Sequence, residues 1–266
     1  MKRALPRLRL FEFNDAAWAP PALRELTVDS LSLALERGRL MDGLVTPFAE
    51  FLAAAGSSEV LDLCSGAGGP ARILSQALRA RGVAARFTLT DLHPRVVAWE
   101  RLAEALPDCI AHVAEPVDAT AVAAELGRGK ARVIINALHH FPPAIVRGIF
   151  ADAARAGTGI FISESFERNP LLAVDFIAAG VPAVFTSPLR GDDRWLKALL
   201  VWATPIAALS SLWDTVVSTL RVYDEAELRS LVADLPQLEW RWGTYPVGRF
   251  GRGTWFSGVP RAGPTA

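Results

Sequence analysis

Val60-Leu-Asp-Leu-Cys-Ser-Gly-Ala-Gly-Gly-Pro-Ala71 is an apolar run that ends in an acid and passes through a glycine-rich turn into helix-compatible sequence. The run predicts a buried strand. Small residues at such a turn let a ligand approach the backbone. They also leave N–H groups at a helix N-terminus, where the dipole favours a carboxylate or phosphate. Gly66-Ala-Gly68-Gly-Pro-Ala71 also fits the GxGxxA pattern of dinucleotide loops, which by itself is weak evidence.

Working outward, four more apolar runs follow, each with helix-compatible sequence after it: RFTLTD (86–91), CIAHVA (109–114), RVIINAL (132–138) and GIFISES (159–165). Five such units predict a parallel sheet covered by helices on both faces. QLEWRWGTY (237–245) and GTWFSGV (253–259) predict an antiparallel hairpin at the sheet edge, preceded by a helix over 225–234 with Asp224 and Glu227 as its capping box.

Acids stand at three successive strand ends. Asp62 closes the first run, Asp91 the second, and Asp118 follows the third. Asp62 would repel a pyrophosphate but can orient an ammonium group, directly or through water. Asp91 can accept both hydroxyls of a ribose, and Asp118 can take an adenine amino group. The set suits a cationic, phosphate-free nucleoside, S-adenosylmethionine, better than a nicotinamide dinucleotide. Helix capping is the structural alternative for each acid.

At these residues the chain resembles the class I S-adenosylmethionine-dependent methyltransferases over about Val60 to Glu164. The longer stretches LCSGAGGP, NALHHF and WDTVVSTLRVY resemble bacterial members. The resemblance implies an α/β, Rossmann-like, doubly wound sheet of seven strands, mostly parallel with an antiparallel last strand. It places the cofactor above the carboxyl ends of the first four strands. By position, Asp62, Ser65, Gly66 and Gly68 match the glycine-rich motif, Asp91 and Leu92 the ribose motif, Asp118 and Ala119 the adenine motif, and Asn136 and Ala137 the motif after the fourth strand. Cys64 departs from the pattern, standing where the family often has its first glycine.

Methyl transfer is an in-line displacement, to which a protein adds alignment, exclusion of water and, for some acceptors, proton removal. In NALHHF, His140 is the first candidate base and His139 the second, since histidine titrates near neutrality. Packing or a cofactor-side role is the alternative for both. Glu164 is the next polar group expected at the site, as a substrate contact, a helix cap or a structural partner. His93 is expected at the adenosine edge, and His112 inside a strand.

The domain reading is one methyltransferase domain over 1–266: a helical cap (1–57, helical over 21–55), a cofactor-binding core (58–167), a lid insertion (168–222), and a C-terminal helix and hairpin (223–260). Phe11, Phe13, Trp18, Phe185, Trp195, Trp202 and Trp213 offer aromatic walls, of which Trp18, Trp195 and Trp213 are the expected substrate contacts with Glu164. They favour a small hydrophobic or aromatic acceptor. O-methylation is the first expectation, with C- or N-methylation, a non-methylating cyclisation or rearrangement on the same cofactor, or an NAD-dependent oxidoreductase as alternatives. Asp214 and Arg221 are charges in this apolar region, expected to pair or to orient a polar substrate end.

The totals fit a small neutral ligand. Lys plus Arg and Asp plus Glu are equal at 28 each, so no global field favours nucleic acid or an anionic bilayer as the main partner. Cys64 and Cys109 are too few for a disulfide framework or a zinc cluster, and no metal site is expected; a reducing cytoplasm is the default. The N-terminus lacks the continuous apolar stretch of a secretory signal. Residues 198–213 carry no charge but fall short of the roughly 20 residues of a span, and Pro205 interrupts them. A buried or lid helix pair is expected there, or an interfacial contact, and no stable span.

Overall fold

The computed structural model describes residues 6–16, 18–169, 174–189 and 194–261. The chain divides into two compact units. A sheet unit comprises residues 42–164, 224–245 and 254–266, and a helical unit comprises residues 1–41, 165–223 and 246–253.

The strands are β1 Glu59–Asp62, β2 Arg86–Leu89, β3 Ile110–His112, β4 Ala131–Ile135, β5 Ile160–Glu164, β6 Leu238–Val247 and β7 Gly251–Pro260. The α-helices are α1 Pro21–Arg37, α2 Val45–Ala55, α3 Gly69–Ala80, α4 Val96–Ala105, α5 Ala124–Gly127, α6 Pro143–Ala156, α7 Val174–Thr186, α8 Arg194–Ala198, α9 Ile206–Arg221 and α10 Glu225–Leu231.

The seven strands form one sheet in the order β3-β2-β1-β4-β5-β7-β6. β1 pairs in parallel with both β2 and β4, setting Asp62 beside Leu89 and Val133, while β7 runs antiparallel to β5. All five predicted parallel runs are strands; β1 begins one residue before the VLDL run (60–63), and the other four strands are shorter than their apolar stretches. Beyond β2 the backbone leaves the ladder once the Thr90 amide has reached the Asp62 carbonyl, so Asp91 lies in the following loop, as Asn136 does after β4. Chain order reverses between β1 and β4, the switch point where open α/β sheets bind ligands.

Alternation along β5 explains the two covered faces. Phe161 contacts Phe48 and Phe51 of α2 on one face, and the opposite face carries Phe256 of β7 against Phe150 of α6. Arg132, buried in β4, is neutralised by Asp152 of α6 at 2.6 Å. The predicted capping box is present, with Asp224 and Glu227 each accepting the other's amide, though α10 ends at Leu231.

In the helical unit α1 packs on α7 and α9, with Leu23, Leu26, Val184, Val201 and Ala207 as its core. The single helical run expected over 21–55 is broken at 38–44, and α2 belongs to the sheet unit. The uncharged run forms a helix pair, Arg194–Ala203 and Ile206–Arg221, bent by 82° at Pro205. Among the described residues no single helix is long and apolar enough to cross a membrane. Ile206, Leu209 and Leu212 line an apolar groove, but of the alternatives expected for this pair burial is corrected: Leu199, Trp202, Ile206, Leu209 and Leu212 are exposed. So is the pairing of Asp214 with Arg221. Asp214 accepts the Phe13 and Asn14 amides, and Arg221 binds Glu12, Asp15 and the Leu10 carbonyl, so both charges hold the N-terminal segment.

Candidate active site

The glycine loop leaves β1 through three left-handed residues, Cys64 (φ 62°), Gly66 (φ 53°) and Gly68 (φ 79°). Cys64, where the resembled family often has a glycine, thus takes a left-handed backbone that glycine adopts without strain. A β-carbon on Gly68 would meet Leu102 at 2.7 Å and Leu89 at 2.9 Å, whereas one on Gly66 would meet nothing within 4 Å. The first glycine of the pair is needed for conformation and open access, the second also for close packing. Asn136 (φ 54°), just after β4, is likewise left-handed, so non-glycine strain stands on both sides of the switch point. Cys64→Gly is expected to be more stable than Cys64→Ala by about 1 kcal/mol, because only the alanine keeps the strain; urea unfolding midpoints measure the difference.

Hydrogen bonds pin the loop. The Ser65 amide donates to the Thr90 carbonyl and its hydroxyl to the Asp62 carbonyl, while Asp91 accepts the Gly66 amide at 3.0 Å and the His93 amide at 2.9 Å. Trp99 of α4, fully buried, donates its indole N–H to the Gly66 carbonyl at 2.9 Å. That anchor gave no sequence signal beyond a tryptophan in an amphipathic helix. No side chain caps α3, so its first-turn amides face the loop.

The three acids converge on Cys64. Burial, and then the charges of Asp91, Asp62 and Asp118, push its thiol well above the ordinary range, so it is no nucleophile at neutral pH. Asp62, 3% exposed, is pushed up from the usual carboxylate range to about 7, mainly by burial and in smaller part by Asp91, against a hydrogen bond from Ser65. A raised carboxyl keeps its proton in the fold at a pH where the unfolded chain has released it. Stability is therefore expected to fall as pH rises from about 4 to about 7, by on the order of 3 kcal/mol. Asp62→Asn should remove that part of the slope, measured by denaturation across the range. Asp118 is exposed and accepts the Thr120 hydroxyl and amide, which hold it below the usual carboxylate range. It closes a local turn two residues long and does not cap the following helix, which was the structural alternative. Leu92 is exposed beside Asp91, and Ala119 and Ala137 are partly exposed in their loops.

After β4, residues 138–140 form one 3-10 turn. His139 is buried, and Glu164 at the end of β5 grips it twice, accepting the backbone amide at 3.0 Å and facing Nδ1 at 2.8 Å. The His140 ring lies 4.2 Å from the His139 ring. Tyr245 of β6 reaches Ser163 at 2.9 Å and the Glu164 carbonyl, fixing the acid from behind. Glu164 is thus the partner of His139. Tyr245 escaped sequence reading because the contact spans more than 80 residues. His112 lies in β3 near Trp99, as expected.

Trp18, Trp195 and Trp213 belong to the helical unit. Trp213 donates its indole N–H to the Phe11 carbonyl and lines a groove of about 650 Å3 with Phe11, Phe13, Leu209 and Val216. Trp18 contacts Phe11 and Phe13 at the same aromatic cluster. Trp195 is 91% exposed and walls no cavity described in that unit.

No family model matches this chain, and no curated protein matches it by sequence. Its structure is similar to a provisionally assigned O-methyltransferase from Nostoc punctiforme, at 14% identity and a TM-score of 0.51, over 95% of this chain and 64% of that one. The methyltransferase domain of a bacterial CtHen1 protein matches at 11% identity and a TM-score of 0.51, over 84% of this chain and 100% of that one. An O-methyltransferase family protein from Burkholderia thailandensis aligns at 18% identity and a TM-score of 0.43, over 85% of this chain and 59% of that one. The chain spans less than two thirds of the Nostoc and Burkholderia proteins. Strand order, the antiparallel last strand and the likenesses to the Nostoc and CtHen1 structures define the class I methyltransferase fold.

Proposed function

We propose that this chain is an S-adenosylmethionine-dependent methyltransferase whose two units form one catalytic domain acting on a small, largely apolar acceptor, with oxygen as the acceptor atom. The observation that carries the reading is the placement of three acids about the glycine loop: Asp62 ends β1 where the loop begins, Asp91 accepts the Gly66 amide, and Asp118 follows Val117, whose amide donates to the Asp91 carbonyl. It is a field suited to a cationic amino acid and nucleoside and hostile to a pyrophosphate. Asp91 and Leu92 would hold the ribose side, Asp118 and Ala119 the adenine side, and Ser65, Gly66, Gly68, Asn136 and Ala137 the backbone cradle. Asp62 would face the ammonium through water.

When bound, S-adenosylmethionine supplies an electrophilic methyl on a sulfonium. The protein's part is alignment and proton handling. With Nδ1–H donated to Glu164, His139 carries its basic lone pair on Nε2, the arrangement by which a carboxylate sets a histidine's tautomer. That partnership moves the preferred base from His140 to His139, with the His140 ring tilted alongside it; a hydroxyl acceptor would deliver its proton there, and a carboxylate acceptor would need no base. Glu164 acts through His139, and Trp18 and Trp213 are proposed acceptor contacts.

Calorimetry with S-adenosylmethionine, S-adenosylhomocysteine and NADH tests the cofactor. Micromolar binding of the two sulfur ligands supports the reading, and NADH binding alone overturns it. Because an ammonium favours ionised Asp62, S-adenosylmethionine affinity is expected to rise as pH climbs toward about 7 and to flatten above it, a trend that Asp62→Asn should abolish.

A further inference from the structure

Among the described residues, fifteen of the eighteen exposed large apolar side chains lie in the helical unit, so its surface asks for an occupant that the sheet unit's surface does not. They concentrate on the bent pair and on the N-terminal segment beside it. Leu209 is 60% exposed and Trp202 57%, with Leu199, Ile206 and Leu212 also open to solvent. No charged residue occurs from 198 to 213. We propose that this face docks on the surface of an anionic phospholipid bilayer, as a peripheral contact without a span.

Length argues for lying on a bilayer rather than crossing it. The two arms of 10 and 16 residues reach about 15 and 24 Å, short of the roughly 30 Å hydrocarbon core. Their 82° bend also prevents a common axis. Tryptophans such as Trp195 and Trp202 suit the interfacial layer, where an apolar ring meets water.

Charge argues for an anionic bilayer. The first eleven residues hold Lys2, Arg3, Arg7 and Arg9 and no acid. Residues 8–13 run along α9, where the Leu8 amide donates to the Leu220 carbonyl and Trp213 donates to the Phe11 carbonyl. Arg9 therefore borders the apolar groove, exposed together with Leu8, Leu10 and Phe11, while Arg7 donates to the Arg221 carbonyl and lies over the Tyr223 ring. The acids nearest the groove are internally engaged: Glu12 is buried against Arg221, and Asp214 is buried on backbone amides. Apolar insertion flanked by cations is the chemistry that binds anionic lipid surfaces. A second copy of the chain is the poorer occupant, because a two-fold interface through this face would bring the exposed Arg9 of each copy toward a like charge.

Co-sedimentation of the full chain with vesicles tests the proposal, using phosphatidylcholine alone or mixed equally with phosphatidylglycerol. The expected result is partition onto mixed vesicles at least about tenfold stronger than onto phosphatidylcholine, and weakened by salt. Trp202→Ser with Leu209→Ser should lower it about tenfold or more. Arg9→Glu should lower it on mixed vesicles only, while Ile145→Ser, an exposed position of the sheet unit, should leave it unchanged; circular dichroism melts check that each variant folds. Partition onto neither vesicle overturns the proposal, as does equal partition by wild type and double variant. A dimer seen by light scattering that the double variant dissociates, without vesicle binding, would instead assign the face to a second copy.

Discussion

Asp91→Ala is expected to weaken S-adenosylmethionine binding about 100-fold, the largest change any single substitution in the cofactor half should produce. One carboxylate serves two purposes. Its oxygens accept the Gly66 and His93 amides, which holds the glycine loop against the end of β2, and the same group is the proposed ribose acceptor. Charge-assisted hydrogen bonds contribute about 1.5–3 kcal/mol each, and 1.4 kcal/mol is tenfold in affinity. Calorimetry with the sulfur ligands measures the loss. Asp91→Asn, which retains one acceptor, should fall between wild type and alanine. Unchanged affinity in the alanine variant would remove the ribose role and much of the cofactor reading with it.

His139→Ala is expected to lower turnover on a hydroxyl acceptor by about 10²–10⁴-fold, the usual range for a lost general base, while cofactor affinity stays near wild type. Glu164→Gln separates proton handling from packing. The amide can still accept the His139 backbone N–H, but it removes the charge that holds Nδ1 protonated. A loss of turnover in that variant with an unchanged melting temperature would point to tautomer control. Release of S-adenosylhomocysteine over a panel of apolar phenols and alcohols provides the measurement. Full turnover in both His139→Ala and His140→Ala would end the base hypothesis.

Much of the sheet unit was legible in advance because its signals are local. A short apolar run bounded by polar turns reads the same wherever it packs, so VLDL, RFTLTD and RVIINAL announce strands, though not where each one ends. The capping box at Asp224 and Glu227 spans only three residues. The glycine loop was equally readable, since small residues between strand and helix have few other uses. Residue spacing could not rank the two adjacent histidines; that depended on Glu164, 25 positions away. Nor could it show that Cys64 adopts a glycine's backbone, because the strain is imposed by the bonds that tie Ser65 to Thr90 and Gly66 to Asp91.

The same division holds in the helical unit. Composition foretold an uncharged helix pair broken at Pro205, but burial and exposure depend on which neighbours arrive, and here much of the pair's apolar surface remains in water. Asp214 and Arg221 are seven residues apart on one helix and invited a pairing. The N-terminal segment, some 200 residues distant, reached each of them first with amides, acids and a carbonyl. By itself the sequence determined the elements, the acids at the strand ends and the absence of charge over 198–213, because these depend on near neighbours and composition. Only the tertiary structure decided which histidine meets a carboxylate, which cysteine is strained and which apolar face stays open, because those depend on contacts between residues far apart in the chain.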